Sequence, residues 1–478
     1  MSILSSLMTS ASALDAYSQV LSVIQNNVVN GSTPGYARQS MSLEAGAFDP
    51  AKGLGGGVRA TEIKSSRDEF AEQAVRQQNT LLGGSSQSVS TLTQLQNNFD
   101  ISGTTGIPAA LNNLFQAFSA WGQSPTNGSA RQTVINNAVA VANAFQDTAN
   151  GLEQLTQNTN VQLQQTVTQV NQLVGQLAEY NSRIMAGDRN DAGLDAQVHS
   201  TLEQLSQYVD FSATKQNDGS FTLLLNGQTQ LLIGSRQFQL NYDLEQPTTP
   251  PPVNDNGPPR AYIRSSDGAD VTTQTTGGQL GALLNLRDTV LPSYLGDAYQ
   301  AGDLNSMAKQ FADRVNQILT QGTSDDPTVT SGGVPLFTYT DNDPTSVARS
   351  LAVNPGATTT TLVPVDPVGP VSNGIPLALS NLENPTQSAD QINGESFTAF
   401  YGDMATRAGN LLNLAKGAQQ VQQSALAQAQ NLRQQESGVD LDEEAMSLVQ
   451  YQTAYEANSK IITVLDQLTQ DVVNILGS

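Results

Sequence analysis

Residues 3–30 read ILSSLMTSASALDAYSQVLSVIQNNVVN and residues 441–476 read LDEEAMSLVQYQTAYEANSKIITVLDQLTQDVVNIL; the spacing of apolar side chains in these two stretches decides the fold. In the first, Leu7, Leu14, Leu21 and Val28 recur at heptad spacing, with Ile3, Ser10, Tyr17 and Ile24 at the offset that a coiled-coil seam requires. In the second, Leu441, Leu448, Tyr455, Ile462, Thr469 and Leu476 form one heptad row, and Glu444, Tyr451, Asn458, Leu465 and Val472 form the other. A lone helix cannot bury a narrow apolar stripe in water, so each end needs a partner, and the nearest one is the other end. The chain is therefore expected to fold back on itself, with residues 1–36 and 437–478 forming a terminal coiled-coil domain.

The ends of these helices are marked locally. Asn30-Gly31, two residues that tolerate the left-handed conformation, should stop the first helix, and Pro34-Gly35 should turn the chain. Asp440 is placed to cap the last helix, with Glu443 three residues on as in a capping box and Asp442 and Glu444 adding negative charge to the first turn. Ser437-Gly438 reads as a joint.

Between the ends, the periodicity predicts helices over 67–98, with Phe70, Ala74, Leu81 and Leu82 as the apolar face, over 107–123, over 129–185 with a break near Gly151, and over 194–208. Helical spacing resumes over 280–290, is stopped by Pro292, continues over 304–319 and returns over 396–436. Residues 37–208 with 264–436 thus read as a discontinuous helical bundle, in which 322–390 are irregular loops and short strands draped on the helices. Residues 209–263 read as a β-rich insertion: runs at 221–225, 230–233 and 261–263 alternate with Asn217-Asp218-Gly219 and Asn226-Gly227 turns and a proline-rich connection. The fold class is mainly α with a small inserted β domain.

Composition narrows the function. Charged residues make up only 13% of the chain, and 43 acidic against 21 basic residues give a formal charge of -22, which argues against binding nucleic acid or an anionic membrane surface. The first helix carries a single charge, Asp15, so it can pack on several sides without desolvating ions. Cysteine is absent and the only histidine is His199, read as an ordinary surface or bundle histidine, so thiol, zinc-thiolate and Ser-His-Asp chemistry have no basis. Asp341-Asn342-Asp343 opens like a calcium loop but has Ser346 where glycine belongs and Ala352 where the closing glutamate belongs. The glycines at 53–57 lack a following Gly-Lys-Ser/Thr and suit an extended segment lying close against another. No catalytic, metal or cofactor site is expected. Neither a secretory signal nor a membrane-spanning run is visible.

Asn26-Asn27-Val28-Val29-Asn30 followed by Thr33-Pro34-Gly35-Tyr36 resembles the N-terminal motif of bacterial flagellar axial proteins, the rod, hook and hook-associated subunits. GGGVRATEIKSSRDEF is similar to that family's glycine-valine strand and Asp-x-Phe helix start, with Ser65 where arginine is common. The segment SGVDLDEEAMSLVQYQTAYEANSKIITVLDQL resembles the matching C-terminal motif, and its Gly438, Asp442 and Glu443, with the glutamine-rich helices of 129–208, favour the hook-associated branch. The resemblance implies a structural subunit at the junction of hook and filament, exported by the flagellar type III apparatus without a cleaved signal and located outside the cell. The implied partners are the hook protein, a second hook-associated junction protein, copies of the chain itself in a ring, and a cytosolic export chaperone on the C-terminal helix. A hook or rod subunit, or a flagellum-associated cell-wall hydrolase, remain as alternatives.

Overall fold

In the computed structural model, residues 3–47, 56–100, 103–248, 251–255, 257–325, 332–368 and 371–476 are described. The chain opens with α1 (Ile3–Asn30), followed by two antiparallel ribbons: β1 (Gln39–Ser40) pairs with β4 (Lys64–Ser65), and β2 (Leu43–Ala45) with β3 (Val58–Ala60). The bundle helices α2 (Glu69–Gln96), α3 (Gly106–Gln123), α4 (Gly128–Arg183) and α5 (Ala192–Tyr208) come next. Strands β5 (Phe211–Lys215), β6 (Phe221–Leu225), β7 (Thr229–Ile233) and β8 (Arg236–Gln237) make an antiparallel sheet in that order, and β9 (Asn241–Glu245) pairs with β10 (Arg260–Arg264). Helices α6 (Gly278–Asn285), α7 (Leu291–Leu295) and α8 (Asp303–Thr320) lead into short pieces: β11 (Phe337–Thr338), α9 (Val347–Ser350), β12 (Ala352–Val353) and α10 (Gly374–Ser380). Two long helices, α11 (Phe397–Ser437) and α12 (Leu441–Leu476), close the chain.

The terminal helices pair with each other. Tyr17 meets Tyr451 with ring centroids 6.1 Å apart, and a Cβ on Gly31 would lie 3.3 Å from Val439 Cβ, so α1 and α12 run antiparallel. From the tyrosine pair, Ile3 falls opposite about residue 465, which leaves roughly 16 Å of α12 without a facing helix. The second side of α1 is covered by the β2–β3 ribbon, where Gly57, at φ +76°, would place a Cβ 2.6 Å from Ser12 Oγ.

 The helix thus buries Ser10, Ala13, Ala16, Val20, Val23, Ile24 and Asn27 between its two neighbours. Leu7, Leu14 and Leu21 are half-buried at the flank of that seam, and Val28 is turned outward at 43% exposure. The small residues between the heptad leucines, which admit a close approach from two sides, pull the buried face toward themselves.

Two apolar cores lie beyond the coil. The first gathers α3, the first half of α4, α7, α8, α10 and the start of α11 around Phe115, Phe118, Trp121, Phe145, Phe311 and Tyr401. The second joins the later half of α4 (Leu163, Val170, Leu177), α5 and α6 to the inner face of the sheet (Leu223, Leu225, Leu232), so the strands share a core with helices. Asn226 and Gly227, at φ 45° and 71°, make the primed turn that their sequence announces between β6 and β7.

Several expectations change. Helix α4 runs unbroken through Gly151, where a Cβ would lie 2.0 Å from Asn98 Oδ1: the glycine makes room for a neighbour and does not end the helix. The packed face of α2 is Ala71, Val75, Leu92 and Leu95, while Phe70 and Leu81 point outward, because α5, α6 and α11 approach α2 over its small residues. Pro292 sits in the first turn of α7, after a π turn at Leu286–Val290, where its missing N–H costs nothing. Residues 332–382 do more than drape the bundle: Leu336, Phe337, Val347, Leu351, Leu362 and Leu379 are buried in the first core. Neither Asn30 nor Gly31 is left-handed, and the positive φ of this turn is taken by Gly35 at 78°. Of the glycines at 53–57, Gly53 to Gly55 lie outside the described residues, and Gly56 packs on the backbone of Gly46 and Ala47.

Candidate assembly surface and the joint behind it

The residues singled out from the N-terminal motif converge on one point, where the coil meets the bundle. Asn27, only 1% exposed, uses its amide as a strand partner: Nδ2 donates to Gln39 O (2.8 Å), and Oδ1 accepts from Gln39 N (2.9 Å) and from the Tyr36 hydroxyl (3.0 Å). Burial, with the charge of Glu444 adding to it, raises the Tyr36 phenol above its ordinary range and keeps it a donor. Asn30 O accepts from Thr33 N (2.8 Å), and Thr33 O from Tyr36 N (3.1 Å), which closes the turn around the exposed Pro34. Gly35 is required here twice over: its φ is +78°, and a Cβ would stand 2.3 Å from Ala196 O on α5.

The C-terminal half of the joint is built by partners far away in the chain. Arg38 Nε donates to Glu444 (2.7 Å), Arg38 Nη2 to Glu443 (3.1 Å), and Arg38 N to Ser437 O (2.9 Å). Asp440 Oδ1 caps α12 by accepting from Asp442 N (2.9 Å) and Glu443 N (3.3 Å). The capping-box expectation is corrected here: the Glu443 carboxylate goes to Arg38 across the joint, and Glu444, 1% exposed, does the same. Gly438 packs tightly, since a Cβ would be 2.3 Å from Gln434 O. Asp442 remains exposed in the first turn.

Behind these lies an ionic cluster that sequence reading missed. Arg67 donates to Gly35 O (2.6 Å), to Asp195 (2.7 Å) and to Glu72, and Glu72 also accepts from Arg433 (3.3 Å), which in turn reaches Glu203 (2.7 Å). It ties the motif turn to α2, α5 and α11 at once. Buried charges of this kind are held in place because removing one partner leaves the other uncompensated. His199 stands beside the cluster, 1% exposed, so it is a bundle histidine. Burial first, then the charges of Arg67, Arg76, Lys215 and Arg433, hold its ring well below the ordinary histidine range, and it is neutral at pH 7.

Along α12 the heptad residues form the half-covered side. Leu448, Tyr451, Asn458, Ile462 and Leu465 are half-buried against α1; Leu441 (57%), Tyr455 (39%) and Val472 (43%) are exposed. Leu441 precedes the close contact, and Val472 lies in the overhang past the start of α1. The side chain of Leu476 is outside the described set. A second row, Met446, Val449, Ile461, Val464 and Leu468, is open to solvent from 47% to 68%. The coil thus presents α12 with one side covered and its other apolar row bare. Among the described residues no group of three His, Cys, Asp or Glu side chains could hold a metal, and no helix is long and apolar enough to cross a membrane.

Fold and surface together define a structural, assembling subunit, with paired terminal helices, a helical body and small sheets. A family model described as the flagellar hook-associated protein FlgK helical domain matches residues 92–337, and one described as the flagellar basal body rod FlgEFG protein C-terminal matches 432–475. The chain belongs to the flagellar hook-associated protein FlgK family, which is structural and not enzymatic. It is 25% identical to flagellar hook-associated protein 1 of Bacillus subtilis, over 98% of this chain and 97% of that protein. It is 24% identical to flagellar hook-associated protein 1 of Escherichia coli, over 99% of this chain and all of that one. The fold matches that of the flagellar hook junction protein FlgK from Burkholderia pseudomallei with a TM-score of 0.63 at 17% identity, over 76% of this chain and 99% of that one.

Proposed function

We propose that this chain forms the junction between the flagellar hook and filament, as a ring of copies that meets the hook protein on one side and a second hook-associated protein on the other. The observation that carries the reading is the bare outer row of α12. A polar, well-packed body that leaves five large apolar side chains on one face of a terminal helix is incomplete by itself, and neighbouring subunits would complete it. Burying that row is worth on the order of 5 kcal/mol per subunit before ordering costs, a contribution that favours ordered addition at a tube end. On this reading residues 1–36 with 437–478 are the assembling domain, the helical body (37–208 with 264–436) forms the next layer, and 209–263 project outward. Leu7, Leu14, Leu21, Leu448, Ile462 and Leu465 hold the coil together, while Val28, Leu441, Tyr455 and Val472 belong to the surface it offers.

Export through the flagellar type III apparatus to the outside of the cell fits the absence of cysteine. A cytosolic chaperone covering α12 before export would shield the same row. The test is deletion of the gene in the source bacterium, scored for motility, hooks and filaments by electron microscopy, and filament protein in the medium. Hooks without filaments, with filament protein spilled unassembled, support the junction. Absent hooks, in place of hooks without filaments, would refute the junction reading.

A further inference from the structure

His199 is the single histidine of the chain. Among the described residues, its two ring nitrogens and Nη1 of Arg76 are buried with no hydrogen-bond partner. Buried polar atoms nearly always have one, so an orphaned imidazole at a three-way contact is an observation to explain. Its Nε2 lies 3.7 Å from Asp195 Oδ1 and 3.9 Å from Glu69 Oε1, just beyond hydrogen-bond reach of both, and its ring meets Phe221 edge-on at 5.6 Å. The charged groups around it come from every element packed there: Arg67 from the segment before α2, Glu69, Glu72 and Arg76 from the start of α2, Asp195 and Glu203 from α5, Lys215 from β5 and Arg433 from α11. Asp195 is already engaged by Arg67, the residue that holds the Gly35 turn.

We propose that His199 is an acid-responsive latch on the joint between the coil and the body. A proton on the ring buries a further positive charge beside Arg67, Arg76, Lys215 and Arg433, with Asp195 Oδ1 and Glu69 Oε1 both beyond hydrogen-bond reach, so the closed joint cannot hold it without moving apart. The start of α2 then parts from α5, and the Gly35 turn, with the coil attached to it, is released while the first core stays folded. This regulates the orientation of the surface assigned above to assembly, and it rests on that reading.

The sign follows from linkage. The closed joint keeps the imidazole neutral and its proton affinity low, whereas an opened joint returns it to an ordinary histidine. Protons therefore favour opening, from about pH 6.5 downward until the closed form itself protonates. For an opened-state pKa of about 6.5, the opening constant rises roughly 30-fold between pH 7.5 and pH 5.

The experiment is amide hydrogen exchange on the isolated full-length chain at pH 7.5, 6 and 5, corrected for intrinsic exchange, with the ring C–H resonance of the lone histidine followed in parallel by proton NMR. The wild type should lose about 30-fold protection in residues 69–76 and 195–203, with α3 unchanged, and the native ring resonance should not titrate near pH 6.5. His199→Gln and His199→Phe should abolish the pH dependence. Equal protection at all three pH values, the same loss in both variants, or a native ring that titrates near pH 6.5 would each overturn the latch. If neither variant folds, the wild-type titration and exchange still decide. These readouts are made on the free chain, so failure here leaves the junction reading intact, and a deletion that moved the protein to the hook or rod would leave this result standing.

Discussion

Replacing Asn27 by alanine tests whether the motif turn is what fastens the coil to the body. The side chain makes three hydrogen bonds, to both backbone groups of Gln39 and to the Tyr36 hydroxyl. At about 1 kcal/mol net for each, reduced slightly because half-buried Gln39 can recruit water, the loss comes to about 2.5 kcal/mol, or a roughly 70-fold larger opening constant for the turn. The effect should stay local, because Asn27 contributes to neither apolar core. Native-state hydrogen exchange reads it directly: the Arg38 amide, bonded to Ser437 O, and the Gln39 amide should lose protection by that factor while those of α3 and α4 do not. Limited proteolysis should in parallel cut faster around 437–441. Asn27→Asp is the informative control, since it keeps the acceptor but places a carboxylate against Gln39 O and near Glu444; it should be worse than alanine at pH 7 and recover as acid protonates it. Unchanged exchange at Arg38 and Gln39 would refute the reasoning, and so would a matching loss of protection throughout both cores, which would make Asn27 a global stability residue.

Gly35→Ala should destabilise the turn by several kcal/mol, because φ is +78° and the new methyl would meet Ala196 O at 2.3 Å; a thermal melt or exchange profile indistinguishable from wild type would contradict the close approach. Leu14→Asp or Leu465→Asp, each placing a charge in the half-buried seam, should leave the near-ultraviolet spectrum of the body intact and prevent incorporation at the hook tip. Loss of the body's spectrum in either variant would sink the separation of coil from body.

Much of the architecture was legible because it is encoded at short range. Heptads at both ends define helices that need partners, and the Asn226-Gly227 turn, the aromatic run of α3 and the Asp440 cap each depend on neighbours within a few positions. The errors share a cause. Gly151 looked like a break and Pro292 like a stop because propensity describes an isolated helix, whereas one is a site of contact with Asn98 and the other a first-turn residue. Phe70 and Leu81 looked like the packed face of α2 because apolarity was counted without knowing that three helices approach over Ala71, Val75 and Gly83.

By itself, then, the sequence determined the helical class, the pairing of the two ends, the β insertion and the lack of a catalytic constellation, since periodicity, turn chemistry and composition are properties of neighbouring residues. Only the tertiary structure decided which side of each terminal helix is covered and how the coil is fastened. Arg38 with Glu443 and Glu444, Arg67 with Asp195, and Glu72 with Arg433 are separated in sequence by more than a hundred residues and meet only when the chain has closed on itself. Long-range charge pairing leaves no periodic trace, and the burial of His199 depends on the packing of α5 against α2 and β6 at once.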